Sequence, residues 1–249
     1  MDARTYYDIP GVEVWPVDAS VHVEVARDGV PGAAEPDSPV GREWAKLCGA
    51  NPRMFDGTLL SVRGFDGASG LILAKRERYQ RLAVQPRVQT GVRLLAVTAI
   101  VVAGEGGESR VLLGRRGARV RMYPGLWEFG PSGGVDSPPL SVGRLGVEHL
   151  RSHLADEIAE ELGPGALDAL GAAVDAAEPV AIVRDQAARS DDVCFVVRAG
   201  GGLEEHEANW EYSEARWATL KEAAALNAAE PEAMIPPTRA LMRFLGWVG

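Results

Sequence analysis

The segment DEIAEELG sets Glu157, Glu160 and Glu161 at i, i+3 and i+4, so on a helix three carboxylates project from neighbouring positions of one face. Like charges at that spacing cost an isolated helix about 0.2–0.5 kcal/mol per pair. A hard dication such as Mg²⁺ accepts clustered carboxylate oxygens and turns the repulsion into affinity. A cation held this way neutralises oxyanions and generates hydroxide near neutral pH. A solvated acidic face has the same spacing, so the surrounding residues have to decide between the two.

Those surroundings are specific. LWEFGPSGGVD lies upstream, followed by Glu148, seven further residues, and then DEIAEELG. This order resembles the Nudix hydrolase signature GX5EX7REUXEEXGU, where U is apolar. Gly134 matches the opening glycine, Glu148 the first glutamate, Glu157 the glutamate of RE, and Ile158 the apolar position. Glu160 and Glu161 match EE, and Gly163 the final glycine; Gly133 completes the glycine pair. YPGLWEF and the preceding RVLLGRR are similar to the family's lead-in. Three positions depart from the pattern: eight extra residues separate Gly134 from Glu148, Asp156 replaces the arginine, and Pro164 replaces the last apolar residue.

The resemblance implies metal-dependent cleavage of a pyrophosphate linkage, with Mg²⁺ or Mn²⁺ as cofactor and Glu157, Glu160 and Glu161 as the catalytic and metal-binding residues. Glu157 and Glu161 are then the direct ligands, and Glu160 is a further ligand or orients water. The general base is Glu160 or a glutamate of the later loop, Glu205, Glu207 or Glu211. Arg115, Arg116, Arg119 and Arg121, just before the motif, fall where phosphate-facing side chains belong. Because Asp156 cannot brace Glu148, another cation is expected to do so: Arg151, one helical turn on, ahead of Arg144 in the inserted loop. His149 and His153 are read as surface histidines and Trp127 as a core aromatic, with Trp210 and Trp217 better placed for a nucleobase. The substrate is expected to be a nucleoside diphosphate joined to another group. NPRMFDGTLLSV and the lengthened motif are similar to the UDP-glucose pyrophosphatase branch, which implies a UDP-sugar. ADP-ribose and a non-catalytic nucleotide-binding module are the competing readings.

These residues need a scaffold. The apolar run LLAVTAIVVA reads as a strand buried on both faces, and RVLLGRR as its neighbour. A helix is expected from about Gly146 to Leu162, with Leu150, Leu154, Ile158 and Leu162 on its core face and Gly163-Pro164 as its stop. Strands at 179–184, 192–198 and 215–218, a last helix near 237–245, and alanine-rich helices in 166–177 and 223–229 complete this half. Residues 1 to about 90 contain strand candidates at 12–17, 21–25, 59–63 and 71–74, an exposed loop at 29–39 and a short helix at 41–47. The expected fold is α/β, a Nudix-type α/β/α sandwich with a mixed sheet (residues 91–249) preceded by a small β-rich lobe (residues 1–90).

Bulk properties agree. A chain of 249 residues, 46% of them hydrophobic, can bury a real core. The net charge of −9, with no basic run, disfavours nucleic acid and leaves a small phosphorylated molecule as partner; a homodimer is compatible. Cys48 and Cys194 are far apart and read as buried free thiols. No stretch is long and apolar enough to span a membrane, and the amino terminus lacks signal-peptide character, so a cytoplasmic protein is expected.

Overall fold

A computed structural model describes residues 9–85, 87–104, 108–200 and 210–248. Its axis is β5 (Leu94–Ala103), buried over nearly its whole length as the apolar run requires. β11 (Ser190–Ala199) runs parallel to it in unbroken register, from Ser190 opposite Leu94 to Ala199 opposite Ala103. β10 (Glu178–Asp185) pairs antiparallel with β11, and β1 (Val12–Pro16) antiparallel with β10. Beyond β5 on the other side come β3 (Thr58–Asp66), β4 (Leu71–Arg78), β2 (His22–Val25) and β9 (Arg144–Leu145). β6 (Arg110–Arg116) pairs with the end of β5, with β7 (Trp127–Phe129) and with β12 (Tyr212–Thr219). β8 (Ser132–Gly134) pairs with β5, Gly134 opposite Ala96. The described strands form one mixed sheet.

Helices cover both faces. α3 (Val147–Leu162) and α4 (Pro164–Asp175) bury Leu150, Leu154, Ile158, Leu170 and Val174 against Val97, Val193 and Phe195. Removing side chains of this size from water contributes roughly 1.5–3 kcal/mol each. On the opposite face, α5 (Leu220–Ala229) and α6 (Pro236–Phe244) place Ala223, Ala240, Leu241 and Met242 over Val12, Val14, Ala181, Val183 and Ile100. The alternating faces of β11 serve the two cores: Val193 and Phe195 face one, Cys194 the other, as period two demands.

The helix expected at 41–47 is longer, α1 (Pro39–Ala50). Ser38 caps it by accepting from the Gly41 N–H at 3.0 Å, and Pro39 presets the first helical φ. Gly163 ends α3 with φ +90°, a backbone state only glycine adopts freely. Pro164 then opens α4 rather than ending helical structure: it occupies the first turn, where no N–H is needed. Two elements have no local periodicity to reveal them, the five-residue α2 (Tyr79–Ala83) and the two-residue β9.

β9 lies inside the lengthened motif and pairs with β2, Val23 opposite Leu145 and Glu24 opposite Arg144. The same insertion is gripped by Arg76 of β4, which is only 2% exposed. Its guanidinium donates to the carbonyls of Pro138 (3.1 Å), Pro139 (2.8 Å) and Val142 (2.8 Å), and to that of Ala26 (2.6 Å). Strands of the first 90 residues therefore hold the loop that leads into α3.

Candidate active site

The apolar face of α3 is fixed by Leu150, Leu154 and Ile158, each fully buried. That anchorage turns Glu157 and Glu161 toward β8. The Ser132 N–H donates to Oε2 of Glu161 at 3.0 Å. At Gly133 a Cβ would lie 1.9 Å from the Glu157 carboxylate, so glycine is what gives Glu157 its place. Glu160 lies on the exposed side of the same turn. The strand and helix of the motif thus meet through two carboxylates and a glycine backbone.

Burial sets the electrostatics. Glu161 is 5% exposed, and its pKa is driven well above the ordinary carboxylate range by desolvation, then by Glu128, Glu211 and Glu157. Glu211 shares a hydrogen bond with Glu161, and its own pKa is raised by burial and by Glu160. Glu157 is pushed up to about 8, first by burial and then by Glu160, Glu211, Asp136 and Asp156. Glu128 of β7, also buried, accepts from Arg116 Nη1 at 2.5 Å and from Tyr212 Oη at 3.1 Å. Tyr212 reaches it across glycines: a Cβ at Gly130 would fall 1.9 Å from its hydroxyl, and one at Gly114 would fall 2.6 Å from its ring.

This set of hard oxygen donors suits a divalent cation, whose charge would relieve the repulsion that lifts their pKa values. The donors do not form a closed cage: among the described residues no three His, Cys, Asp or Glu side chains are gathered as a metal-holding group. Glu157, Glu160 and Glu161, expected as a ligand trio, are neighbours divided between environments. Glu161 is engaged by Ser132 and Glu211, Glu157 lies over Gly133, and Glu160 faces outward.

The four arginines separate. Arg116 is tied into the scaffold, Nε donating to Met122 O at 2.9 Å while Nη1 holds Glu128. Arg115, Arg119 and Arg121 are exposed; Arg115 Nε donates to Gly125 O at 3.1 Å and Arg121 Nη2 to Ala188 O at 3.4 Å. Glu205 and Glu207 lie outside the described residues, so of the later-loop glutamates Glu211 is the one seen beside α3. The expected brace on Glu148 is corrected. Its side chain is 68% exposed and contacts His149 Nδ1 at 3.0 Å, whereas Arg151 Nε donates to Ala177 O at 2.8 Å and Arg144 lies on β9. Arg151 turns instead to a carbonyl just past α4, at a residue far more buried than the Glu148 carboxylate.

Trp127 is a core aromatic as expected, 8% exposed and flanked by Arg216 and Arg115 at 4.4 and 5.9 Å from its centroid. Trp217 is half-buried and packs against the core that α3 and α4 share, and Trp210 is 52% exposed. Of the two thiols, Cys194 is buried and Cys48 half-buried, and neither is in a disulfide. Sequence reasoning passed over Glu128 and Arg76. A carboxylate inside the apolar WEF was the available signal for the first. Arg76, within the charged run KRER, carried none.

No family model matches the chain, and no curated protein matches it. Solved structures similar to it include a NUDIX hydrolase from Alicyclobacillus acidocaldarius, with 17% identity, 61% of this chain and 90% of that chain covered, and a TM-score of 0.42. Another is the NUDIX domain of Shewanella oneidensis NrtR complexed with ADP ribose, at 19% identity, 66% and 90% coverage, and a TM-score of 0.42. A third is the Nudix hydrolase RenU from M. Smegmatis, at 18% identity, 62% and 84% coverage, and a TM-score of 0.39. They fall in the superfamily that the sequence motif resembles. Likeness at this level carries no argument about activity, which has to rest on the residues of this chain.

Proposed function

We propose that this chain is a Nudix-type hydrolase that uses a divalent cation to cut the pyrophosphate linkage of a nucleoside diphosphate joined to another group. The observation that carries the reading is the docking of Glu157 and Glu161 onto Ser132 and Gly133. It brings the two halves of the sequence motif together and gathers carboxylates whose burial and mutual repulsion raise their pKa values.

Glu157 and Glu161 would hold the cation, with Glu160 at the rim. Such a cation, Mg²⁺ or Mn²⁺, would supply charge neutralisation for a diphosphate and a more acidic water. The chain's own residues do the rest. The Ser132 N–H fixes one oxygen of Glu161, and the missing side chain at Gly133 lets Glu157 lie against the strand. Glu211, hydrogen-bonded to Glu161, is assigned as the residue that accepts the proton of the attacking water. Arg116 keeps Glu128 in place behind this pair, while Arg115, Arg119 and Arg121 are available to phosphate oxygens. Water adds to one phosphorus, the bridging P–O bond breaks, and the two phosphate monoesters leave.

The preferred substrate is UDP-glucose or another UDP-sugar, giving UMP and sugar 1-phosphate, on the strength of the lengthened motif and the strands that hold it. Purified protein incubated with UDP-sugars, ADP-ribose and dinucleotides plus Mg²⁺ or Mn²⁺, with products resolved by chromatography, tests this directly. Faster consumption of ADP-ribose moves the substrate and keeps the chemistry. The open arrangement of the carboxylates and Asp156 favour a second reading, a nucleotide-binding module, which is the outcome if a nucleotide binds and none is cleaved.

A further inference from the structure

The loop between β6 and β7, residues 117–126, carries Arg119 and Arg121. It starts beside the carboxylates: the Gly117 N–H donates to the carbonyl of Glu211 at 2.6 Å, and the Glu211 side chain is hydrogen-bonded to Glu161. A Cβ at Gly117 would fall 2.2 Å from the carbonyl oxygen of Trp210, so this close approach requires glycine. Arg116 closes the base of the loop. Its Nε donates to Met122 O at 2.9 Å, and its carbonyl accepts from the Gly125 N–H at 3.0 Å.

The far side of the loop is fixed by Tyr123, whose backbone is left-handed at φ +52°, a state that aromatic residues rarely adopt. Its Oη donates to Oδ2 of Asp185 at 2.7 Å. Asp185 is 2% exposed, and its Oδ1 accepts from the N–H groups of Ala187 at 2.7 Å and Ala188 at 3.1 Å. One buried carboxylate thus organises the turn between β10 and β11 with one oxygen and holds the arginine loop with the other. Burial, and then Asp185, raise the pKa of the Tyr123 phenol, so it remains a neutral donor. Arg121 is fastened to the same turn, Nη2 donating to Ala188 O at 3.4 Å, and also hydrogen-bonds Tyr79 of α2. Between the two fixed ends Arg119 is exposed. Strained residues persist where their surroundings over-determine them, and they gather at ligand clamps. A guanidinium fork also has to be oriented before it can meet phosphate oxygens in pairs.

We infer that Tyr123 is a positioning residue: its hydrogen bond to Asp185 holds the 117–126 loop so that Arg119 meets the diphosphate of the substrate beside Glu161 and Glu211. The inference rests on the activity proposed above, and a binding measurement separates the two. The probes are the α,β-methylene analogues of ADP and UDP, whose P–C–P bridge water cannot cleave, titrated calorimetrically into the full chain with Mn²⁺. At least one binds the wild type. Tyr123→Phe, which removes a single hydroxyl, weakens that binding by about 5–10-fold, the scale of one lost hydrogen bond. In an Arg119→Ala background the same substitution changes it by less than about 2-fold, because residues that act through one another do not add. With UDP-glucose or ADP-ribose as substrate, Tyr123→Phe raises KM and leaves kcat within about 2-fold, the mark of lost binding rather than a lost chemical step. The assignment is overturned if neither analogue binds, if Arg119→Ala or Tyr123→Phe binds as tightly as the wild type, or if the loss from Tyr123→Phe persists without Arg119. It falls also if thermal melting finds Tyr123→Phe unfolded, which would make the contact to Asp185 architectural; Arg119→Ala, at an exposed position, is read independently of that. Wild-type protein that binds an analogue through Tyr123 but cleaves no nucleoside diphosphate loses the proposed activity and keeps the positioning role. Cleavage with KM and binding indifferent to Tyr123→Phe does the reverse.

Discussion

Arg76 and the pair Glu157 and Glu161 of α3 are charges taken wholly or partly out of water, and they are treated in opposite ways. Arg76 meets four backbone carbonyls within 3.1 Å, so its charge is dispersed over hydrogen bonds that it also organises. Half-buried Glu157 and buried Glu161 sit among other carboxylates, and Glu161 accepts from the Ser132 N–H and shares a hydrogen bond with Glu211. The first arrangement is complete and stabilises the loop it grips. The second is unfavourable as it stands, and native structures keep such clusters where a ligand or a reaction needs them. Buried charge marks architecture when polar partners disperse it and function when like charges crowd it.

The comparison breaks most directly at Arg76. Arg76→Met leaves four carbonyls without their donor and should lower stability by about 3–5 kcal/mol, the range for breaking a buried charge network. Denaturant unfolding measures it, and a loss below about 1 kcal/mol would remove Arg76 from the scaffold.

Glu161→Gln should act the other way round. Turnover falls by about 10²-fold or more, since a charged ligand is lost, while the melting temperature holds or rises because a buried repulsion has been removed. Near-normal rates with Mg²⁺ or Mn²⁺ would sink the assignment of the site.

Gly133→Ala sharpens the same point with a single methyl group. The added carbon meets the far end of the flexible Glu157 side chain, so the fold gives way by moving the carboxylate rather than the backbone. Turnover should drop by about 10-fold to 10²-fold, the upper end being the scale of a catalytic group misplaced by about 1 Å, with an unfolding midpoint close to that of the wild type. A variant that unfolds instead would show that the contact is architectural.

The smallest effect is pH dependence without metal. Glu157 titrates near 4.5 as an ordinary carboxylate and near 8 in the folded chain. Folding therefore favours its protonated form, and that contribution is complete below about pH 4.5 and lost as pH rises through 8. Metal-free protein should melt at a higher temperature at pH 5 than at pH 8.5, Glu157→Gln should flatten the difference, and Mn²⁺ should restore stability at the higher pH. Thermal scans with a chelator present check the sign, and a melting temperature that climbs from pH 5 to 8.5 would contradict it.

Much of the frame could be read locally. The unbroken apolar run of β5, the four-residue spacing of Leu150, Leu154 and Ile158, and the glycine at 163 each specify an element through the period or backbone freedom of adjacent residues. The motif spacing also placed Glu157 and Glu161 on the face that meets β8. The brace on Glu148 was misjudged because i, i+3 reach does not say which neighbour has the greater need, and the Ala177 carbonyl took Arg151.

By itself, then, the sequence determined the helix, the strand before it and the types of residue gathered there, because these depend on contacts a few positions apart. Tertiary structure alone decided that Arg76 holds a loop some sixty residues away, that Tyr212 and Arg116 converge on Glu128, and that Gln85 Oε1 is buried without a hydrogen bond among the described residues. Each of these is a hydrogen bond made or missing between distant segments. Hydrogen bonding of that kind depends on where the chain returns in space, which no local periodicity encodes.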